Sequence, residues 1–230
     1  MAPPNNKGDE KILSYLDVVM RRSDLDILRG PHYLNDRIIE FYFAHPLPSP
    51  PLPSPRALLL PPSISFWLTN CPDPQSLRQS ADPLRLPDRD LVLFPVNSNL
   101  DVTVAGGGSH WSLLVYCREA GEFVHHDSCR SANRCHAERL FHAVSGFVDD
   151  GGEPPRLVEG LTPQQTNGHD CGLFVMAIAK VVYDWYVARG ECAAGEDRWF
   201  AALKEEVDAD AVDKLRDEVL RLILSLMEPK

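Results

Sequence analysis

The sequence predicts an α+β fold, and three observations carry that prediction. Three strand-like segments follow one another in the middle of the chain. Helical patterns lie before and after them. A proline-rich run separates the first helical part from the strands. At 230 residues the chain is near the upper end of one domain, so a single unit over residues 1–230 is expected, with a central mixed or antiparallel sheet flanked by helices.

Taken in order, Lys11 to Arg22 places Ile12, Leu13, Leu16, Val19 and Met20 at helical spacing and predicts an amphipathic helix. Asn35 is placed to cap a second helix through Ile38, Ile39, Phe41, Tyr42 and Phe43. From Pro46 to Pro62 the run PLPSPPLPSPRALLLPP loses backbone donors and has φ fixed at each proline, so it reads as a surface insertion. Strands are predicted at Asp90 to Val96, His110 to Cys117 and Phe123 to Asp127, the last two joined by the turn-like REAGE. A helix from about Asn133 to Val148, a short strand near Arg156 to Glu159 and a loop ending at Cys171 come next. The apolar run GLFVMAIAKVVYDWYVA then predicts a buried central helix, followed by helices in Asp197 to Val207 and Asp210 to Met227.

Composition narrows the function. A net charge of −10 argues against a nucleic-acid partner, because such binders carry basic surfaces that release counterions. The start, MAPPNNKGDEK, has no apolar run of the secretory kind, and no stretch approaches the roughly 18 consecutive apolar residues of a membrane span. A soluble protein made in the cytosol is therefore expected; we further expect a monomer, cytoplasmic and/or nuclear, with no membrane partner. The six cysteines lack the dense spacing of a disulfide framework and are expected to be free thiols.

The chemistry centres on QQTNGHDCG, residues 164–172, where a polar loop delivers Cys171 to the start of the apolar helix. Unpaired N–H groups at a helix head favour an anion, so they suit both a thiolate and the oxyanion of a tetrahedral intermediate. Gly172 is expected to leave the sulfur open to approach, and Gln165 to aim its amide at the same oxyanion. A thiolate needs a base held in one tautomer. Antiparallel pairing around the turn at Arg118 to Gly121 places His110 across from Asp127, or nearly so, letting the carboxylate hold one ring nitrogen while the other faces the sulfur. Alone, a cysteine heading a core helix is more often packing than chemistry. The combination of cysteine, histidine, aspartate and glutamine is much harder to explain by packing.

With those residues in hand, the chain resembles the ubiquitin-like-protein-specific cysteine proteases, the family that includes the sentrin (SUMO) proteases. The resemblance runs through KILSYLDVVMRRSDLDIL, YLNDRIIEFYF, GGGSHWSLLVY, FVHHDS and QQTNGHDCGLFV, nearly the whole chain, and is greatest to the family's small deneddylase branch. It implies a papain-like domain of the ubiquitin-like-protease type. It also implies His110, Asp127 and Cys171 as the catalytic triad, Gln165 as the oxyanion-hole residue, and no metal or other cofactor. Trp111 matches the residue that covers the modifier's Gly-Gly tail, and Asp36 an acidic residue that pairs with an arginine of that tail. Asn97 matches a position beside the same channel, and Tyr33 stands where the deneddylase pattern has tryptophan. The implied partner is a RUB/Nedd-type modifier and its conjugates, the implied reaction deneddylation and precursor maturation. A SUMO-specific protease is the alternative within the family.

Three rivals differ in kind. A metal site is suggested by His125, His126, Cys129, Cys135 and His136, although HHDSCRSANRCH fits no zinc spacing. A module that binds a ubiquitin-like protein without cutting it would not need all four catalytic positions filled. A thiol acyltransferase would use similar residues but depend on acetyl-CoA.

Overall fold

The computed structural model describes residues 9–45, 55–104, 106–148, 152–189 and 198–228. Its centre is a five-stranded mixed sheet, in order β3 (Ala57–Leu59), β4 (Leu91–Asn97), β5 (Trp111–Cys117), β6 (Glu122–His126) and β7 (Arg156–Glu159). The β4–β5 and β5–β6 pairs are antiparallel, while the edge pairs β3–β4 and β6–β7 are parallel.

Both faces of this sheet are covered, and period-two side-chain alternation divides the core between them. Leu91 and Leu93 of β4, and Leu113 and Val115 of β5, join one apolar cluster; Val92, Phe94, Leu114 and Tyr116 join the other. The first cluster is completed by α6 (Cys171–Arg189), α2 (Asp36–Ala44) and α8 (Ala209–Met227); the second by α3 (Pro62–Asn70), α4 (Pro74–Ala81) and α5 (Arg134–Val148). On α5 the inward residues Ala137, Leu140, Val144 and Val148 keep helical spacing. Helix α6 is long and apolar enough to cross a membrane by composition, but two-thirds of its apolar window is buried inside the fold, as befits a central helix. Helix α7 (Phe200–Glu206) follows Trp199, one of the largest fully buried side chains.

Two sequence expectations change. Residues 11–21 form a hairpin, β1 (Lys11–Tyr15) with β2 (Val18–Arg21), and the first helix, α1, covers Arg22–Arg29. The apolar spacing there fits either period. The structure is decided at Leu16, which takes a left-handed turn conformation (φ 48°), leaving it 75% exposed while Val18 and Met20 point inward. The proline-rich run also ends earlier than expected. Residues 46–54 lie outside the described residues, but Ala57–Leu59 pairs with β4 and Pro62 starts α3. The segment between Pro55 and Pro61 thus supplies an edge strand of the sheet. The five described cysteines are free thiols.

Candidate active site

The site forms where the open end of the β5–β6 hairpin meets the head of α6. The observed register pairs Leu113 with His126 and Leu114 with His125, two residues away from the one that would set His110 directly opposite Asp127. Asp127 falls instead beside the row of Ser112, and His110 lies diagonally from it, just outside the strand ends. A diagonal of this kind is within reach of a long side chain. His110 Nε2 meets Asp127 Oδ1 at 2.6 Å.

Asp127 is buried because the chain after it wraps around its carboxylate. Cys129 N–H donates to Oδ1 and Asn133 N–H to Oδ2, each at 2.8 Å. The wrap passes through Arg130 and Ser131 in left-handed conformations (φ 49° and 59°), which cost a non-glycine residue about 1 kcal/mol or more. Gln164 Oε1 accepts from Arg130 N–H at 2.7 Å, and Ser131 Oγ donates to Glu159 at 2.8 Å, holding both in place. Burial raises the carboxyl's pKa, but the bonds from His110, Asn133 and Cys129 outweigh it and hold Asp127 below its ordinary value.

His110 feels both Asp127 and Cys171. Burial disfavours its charged ring, yet hydrogen bonds to the side chains of Asp127 and Cys171 and their charges carry its pKa from 6.5 to about 10. With Nε2 committed to Asp127, Nδ1 is the nitrogen left for the sulfur. The backbone is fixed as well: Ser98 Oγ accepts from the N–H groups of Ser109 and His110 at 2.9 and 3.1 Å. Cys171 itself is 1% exposed.

A second polar chain backs the pair. Fully buried His125 holds Glu159 through Nδ1 at 3.0 Å and Ser112 Oγ through Nε2 at 2.9 Å; Asn133 Nδ2 donates to the same Ser112 oxygen at 3.0 Å. His126 Nδ1 bonds Thr162, and its Nε2 accepts from Trp199 Nε1 at 2.9 Å. His125 and His126 therefore serve the frame, Cys129 and Cys135 are exposed, and no group of three or more metal-binding side chains converges among the described residues.

Beside His110 opens a cleft of about 360 Å³ whose walls include Tyr33, Asp36, Asn97, Gly107 and Trp111. All four residues matched to the tail channel thus share one cavity with the histidine. Trp111 is anchored by Nε1 to Leu34 O at 2.9 Å. Asp36 is exposed at the start of α2, capped as expected by Asn35, whose Oδ1 accepts from Ile38 N–H at 3.1 Å. The same asparagine donates to Asp24, which is fully buried and ion-paired with Arg37 at 2.7 Å, so α1 is tied to the Tyr33–Asp36 turn. Asn97 Oδ1 accepts from Asn99 N–H, and Gly108, at φ +84°, leaves no room for a Cβ beside it.

Two residues of the loop and helix head carry further contacts. Gln165 donates through Nε2 to Asn167 O at 2.7 Å, with Oε1 accepting from Ser128 Oγ. One amide hydrogen is therefore spent on its own loop. Gly172 serves packing: a Cβ there would stand 2.8 Å from Leu34 Cβ. Its missing side chain lets the head of α6 close against the cleft wall. Ser98, Ser112 and Asn133 were not singled out from sequence as parts of the site, and His125 only as a candidate metal ligand, since strand, turn and helix patterns give no sign of which polar residues will converge.

Residues 33–184 match the Ulp1 protease family, C-terminal catalytic domain. The chain belongs to that family, and it is a cysteine protease. It is 51% identical over 223 residues to the NEDD8-specific protease 1 of Arabidopsis thaliana, covering 97% of this chain and 96% of that one. It is 33% identical over 175 residues to the sentrin-specific protease 8 of Homo sapiens, covering 73% and 79% of the two chains. Among solved structures, the Ulp1 protease domain in complex with SMT3, the yeast ortholog of SUMO, shares the fold with a TM-score of 0.66 at 17% identity over 96% of this chain and 90% of that one. The SUMO protease Ulp1 with its catalytic cysteine oxidized to a sulfinic acid gives 0.69 at 19% identity, with the same coverage.

Proposed function

We propose that this protease cleaves after the C-terminal Gly-Gly of a RUB/NEDD8-type modifier, maturing its precursor and releasing it from conjugates. The observation that carries the reading is His110, bonded to Asp127 at 2.6 Å and with its charged form further favoured by the Cys171 side chain, in the wall of a cleft shared with Trp111, Tyr33 and Asp36. The half-identical relative from Arabidopsis thaliana, matched along almost its whole length, supports the choice of modifier.

In this reading the Cys171 sulfur attacks the carbonyl carbon of the terminal glycine, and the N–H groups at the head of α6, with the remaining amide hydrogen of Gln165, receive the oxyanion. As the C–N bond breaks, the departing amine takes its proton from His110. A water molecule, deprotonated by His110, then attacks the thioester; the products are the modifier's carboxylate and free Cys171. Asp127 keeps the ring in one orientation and stabilises its charged form.

The nearly complete burial of Cys171 explains the demand for two glycines, since only a chain without Cβ atoms can lie beneath Trp111 and place its carbonyl at the sulfur. Asp36, which also lines the cleft, would pair with an arginine of the tail.

RUB/NEDD8, SUMO and ubiquitin, each carrying a C-terminal electrophile, offer a direct test when mixed with the purified chain. RUB/NEDD8 is expected to label it fastest, and only when Cys171 is present. Faster labelling by SUMO or ubiquitin would overturn the modifier assignment, and labelling that survives Cys171→Ala would overturn the nucleophile.

A further inference from the structure

Cys171 is preceded by an aspartate whose behaviour differs from that of the other helix-leading residues. Asn35 caps α2, Asp73 caps α4 and Asp208 caps α8, each accepting from N–H groups in the first turn of its own helix. Asp170 stands in the equivalent place before α6, with its carbonyl already accepting from Phe174 N–H at 2.9 Å. Its carboxylate turns away from the helix. Oδ1 accepts from Arg216 Nη2 at 2.8 Å and Oδ2 from Asn167 Nδ2 at 2.5 Å.

Arg216 comes from α8, outside the segment matched by the family model. Arg216 is 9% exposed, and its guanidinium makes three further bonds, all to carbonyls: Ile27 and Gly30 through Nη1 at 3.1 and 3.0 Å, and His32 through Nη2 at 3.3 Å. The next residues, Tyr33 and Leu34, belong to the cleft wall, and Leu34 both anchors Trp111 and packs on Gly172. A single planar cation thus joins the head of α6 to the wall beneath which the tail would lie.

We infer that Arg216 is a positioning residue for the nucleophile, drawing the Asp170 carboxylate off the head of α6 so that the N–H groups there stay free for the sulfur and the oxyanion. The inference rests on the proposed catalytic role of Cys171. Without Arg216 the Asp170 carboxylate is a buried anion with its strongest partner removed. Its remaining neighbours are Asn167 Nδ2 on Oδ2 and His169 Nε2, 3.6 Å from Oδ1, and the first-turn N–H groups, which an aspartate in this position ordinarily occupies, become open to it. A second negative charge would then sit beside the sulfur and take its donors. Among the described residues, the charged and titratable groups that meet near the head of α6 include His110 and Asp127 on the hairpin side, His169 and Asp170 on the preceding loop, and Arg216 on α8.

The test uses the full chain and two readouts: turnover of a RUB/NEDD8 precursor, and the pH profile of iodoacetamide alkylation at Cys171, followed by peptide mass spectrometry so that the exposed cysteines do not interfere. Arg216→Met is expected to lower kcat about tenfold with KM nearly unchanged, and to move the acid limb of alkylation up by about one pH unit, the two effects being of equal energy. Arg216→Lys keeps a cation beside Asp170 and is expected to retain the wild-type pH profile even if its melting temperature falls. Adding Asp170→Asn to Arg216→Met removes the stray charge and is expected to bring the profile back. Should the methionine variant not fold, Arg216→Gln, neutral but able to hydrogen-bond, carries the same expectation. A folded neutral variant with wild-type kcat and wild-type alkylation profile would overturn the inference, leaving Arg216 a fold-stabilising residue only. Wild-type protein that neither cleaves the precursor nor reacts at Cys171 would instead overturn the catalytic reading on which it rests.

Discussion

The open and closed sides of the β5–β6 hairpin carry two histidines that meet opposite fates. His110, at the cleft, is carried up to about pKa 10 despite burial by its bonds to Asp127 and Cys171. His126, one residue before that same aspartate, is fully buried among Thr162, Trp199 and Phe200 and is pushed down to about 3 by burial first, then by the nearby charge of His125. Burial acts downward on both. A carboxylate in direct contact reverses it, whereas a hydroxyl and an indole N–H do not. Proximity to Asp127 in sequence therefore counts for less than which face of the strand a side chain leaves from.

The largest expected effect is at the cleft. Cys171→Ala should abolish cleavage of a RUB/NEDD8 precursor while leaving modifier binding largely intact; measurable turnover would move the nucleophile elsewhere. Asp127→Asn comes next, with a loss of kcat of roughly 10³-fold or more, by analogy with triads in which the orienting carboxylate is removed. The same change should draw the alkaline limb of the pH–rate profile down from near 10 toward the ordinary histidine range, because the charge that sustains the imidazolium is gone. A limb that stays in place would break the contrast between the two histidines.

On the closed side the readout is stability. The depressed pKa of His126 means that the unfolded chain binds the extra proton between about pH 6.5 and 3, so stability from this group is complete above 6.5 and is lost as pH falls toward 3. The slope is about 1.4 kcal/mol per pH unit. For His110 the sign is opposite: its contribution is complete below 6.5 and is lost as pH rises toward 10. Urea denaturation of His126→Leu at pH 4.5, 5.5 and 6.5 is expected to show a flatter acid dependence than the wild type, and equal slopes would sink the assignment. Gly160→Ala should cost about 1–3 kcal/mol, since a Cβ there would stand 2.5 Å from the His126 ring and 2.8 Å from Val124. Smallest is Asp36→Ala, expected to raise KM severalfold with kcat little changed; a substrate whose tail arginine is replaced should show no further loss.

What the sequence disclosed follows from how local each feature is. Asn35 announced α2 because a cap and its helix are contiguous, and the long apolar run after Cys171 left α6 no alternative to burial. Hairpin symmetry brought His110 to Asp127 within two residues of the true register, near enough for the side chains to meet. The same reasoning failed at residues 11–21, where leucine occupies a turn position that ordinarily signals itself through glycine or asparagine. Contacts that depend on packing across the molecule stayed hidden: Asp24 with Arg37, Asn133 with Asp127, and above all Asp170 with Arg216, which no local periodicity relates.

The most direct test of the account is a crystal structure of the chain trapped with RUB/NEDD8 bearing a C-terminal aldehyde. The expected density joins the terminal carbon to the Cys171 sulfur, with the two glycines beneath Trp111, His110 within hydrogen-bond reach of the adduct, and a tail arginine against Asp36. An adduct on another residue, or a tail lying outside the cleft, would contradict it.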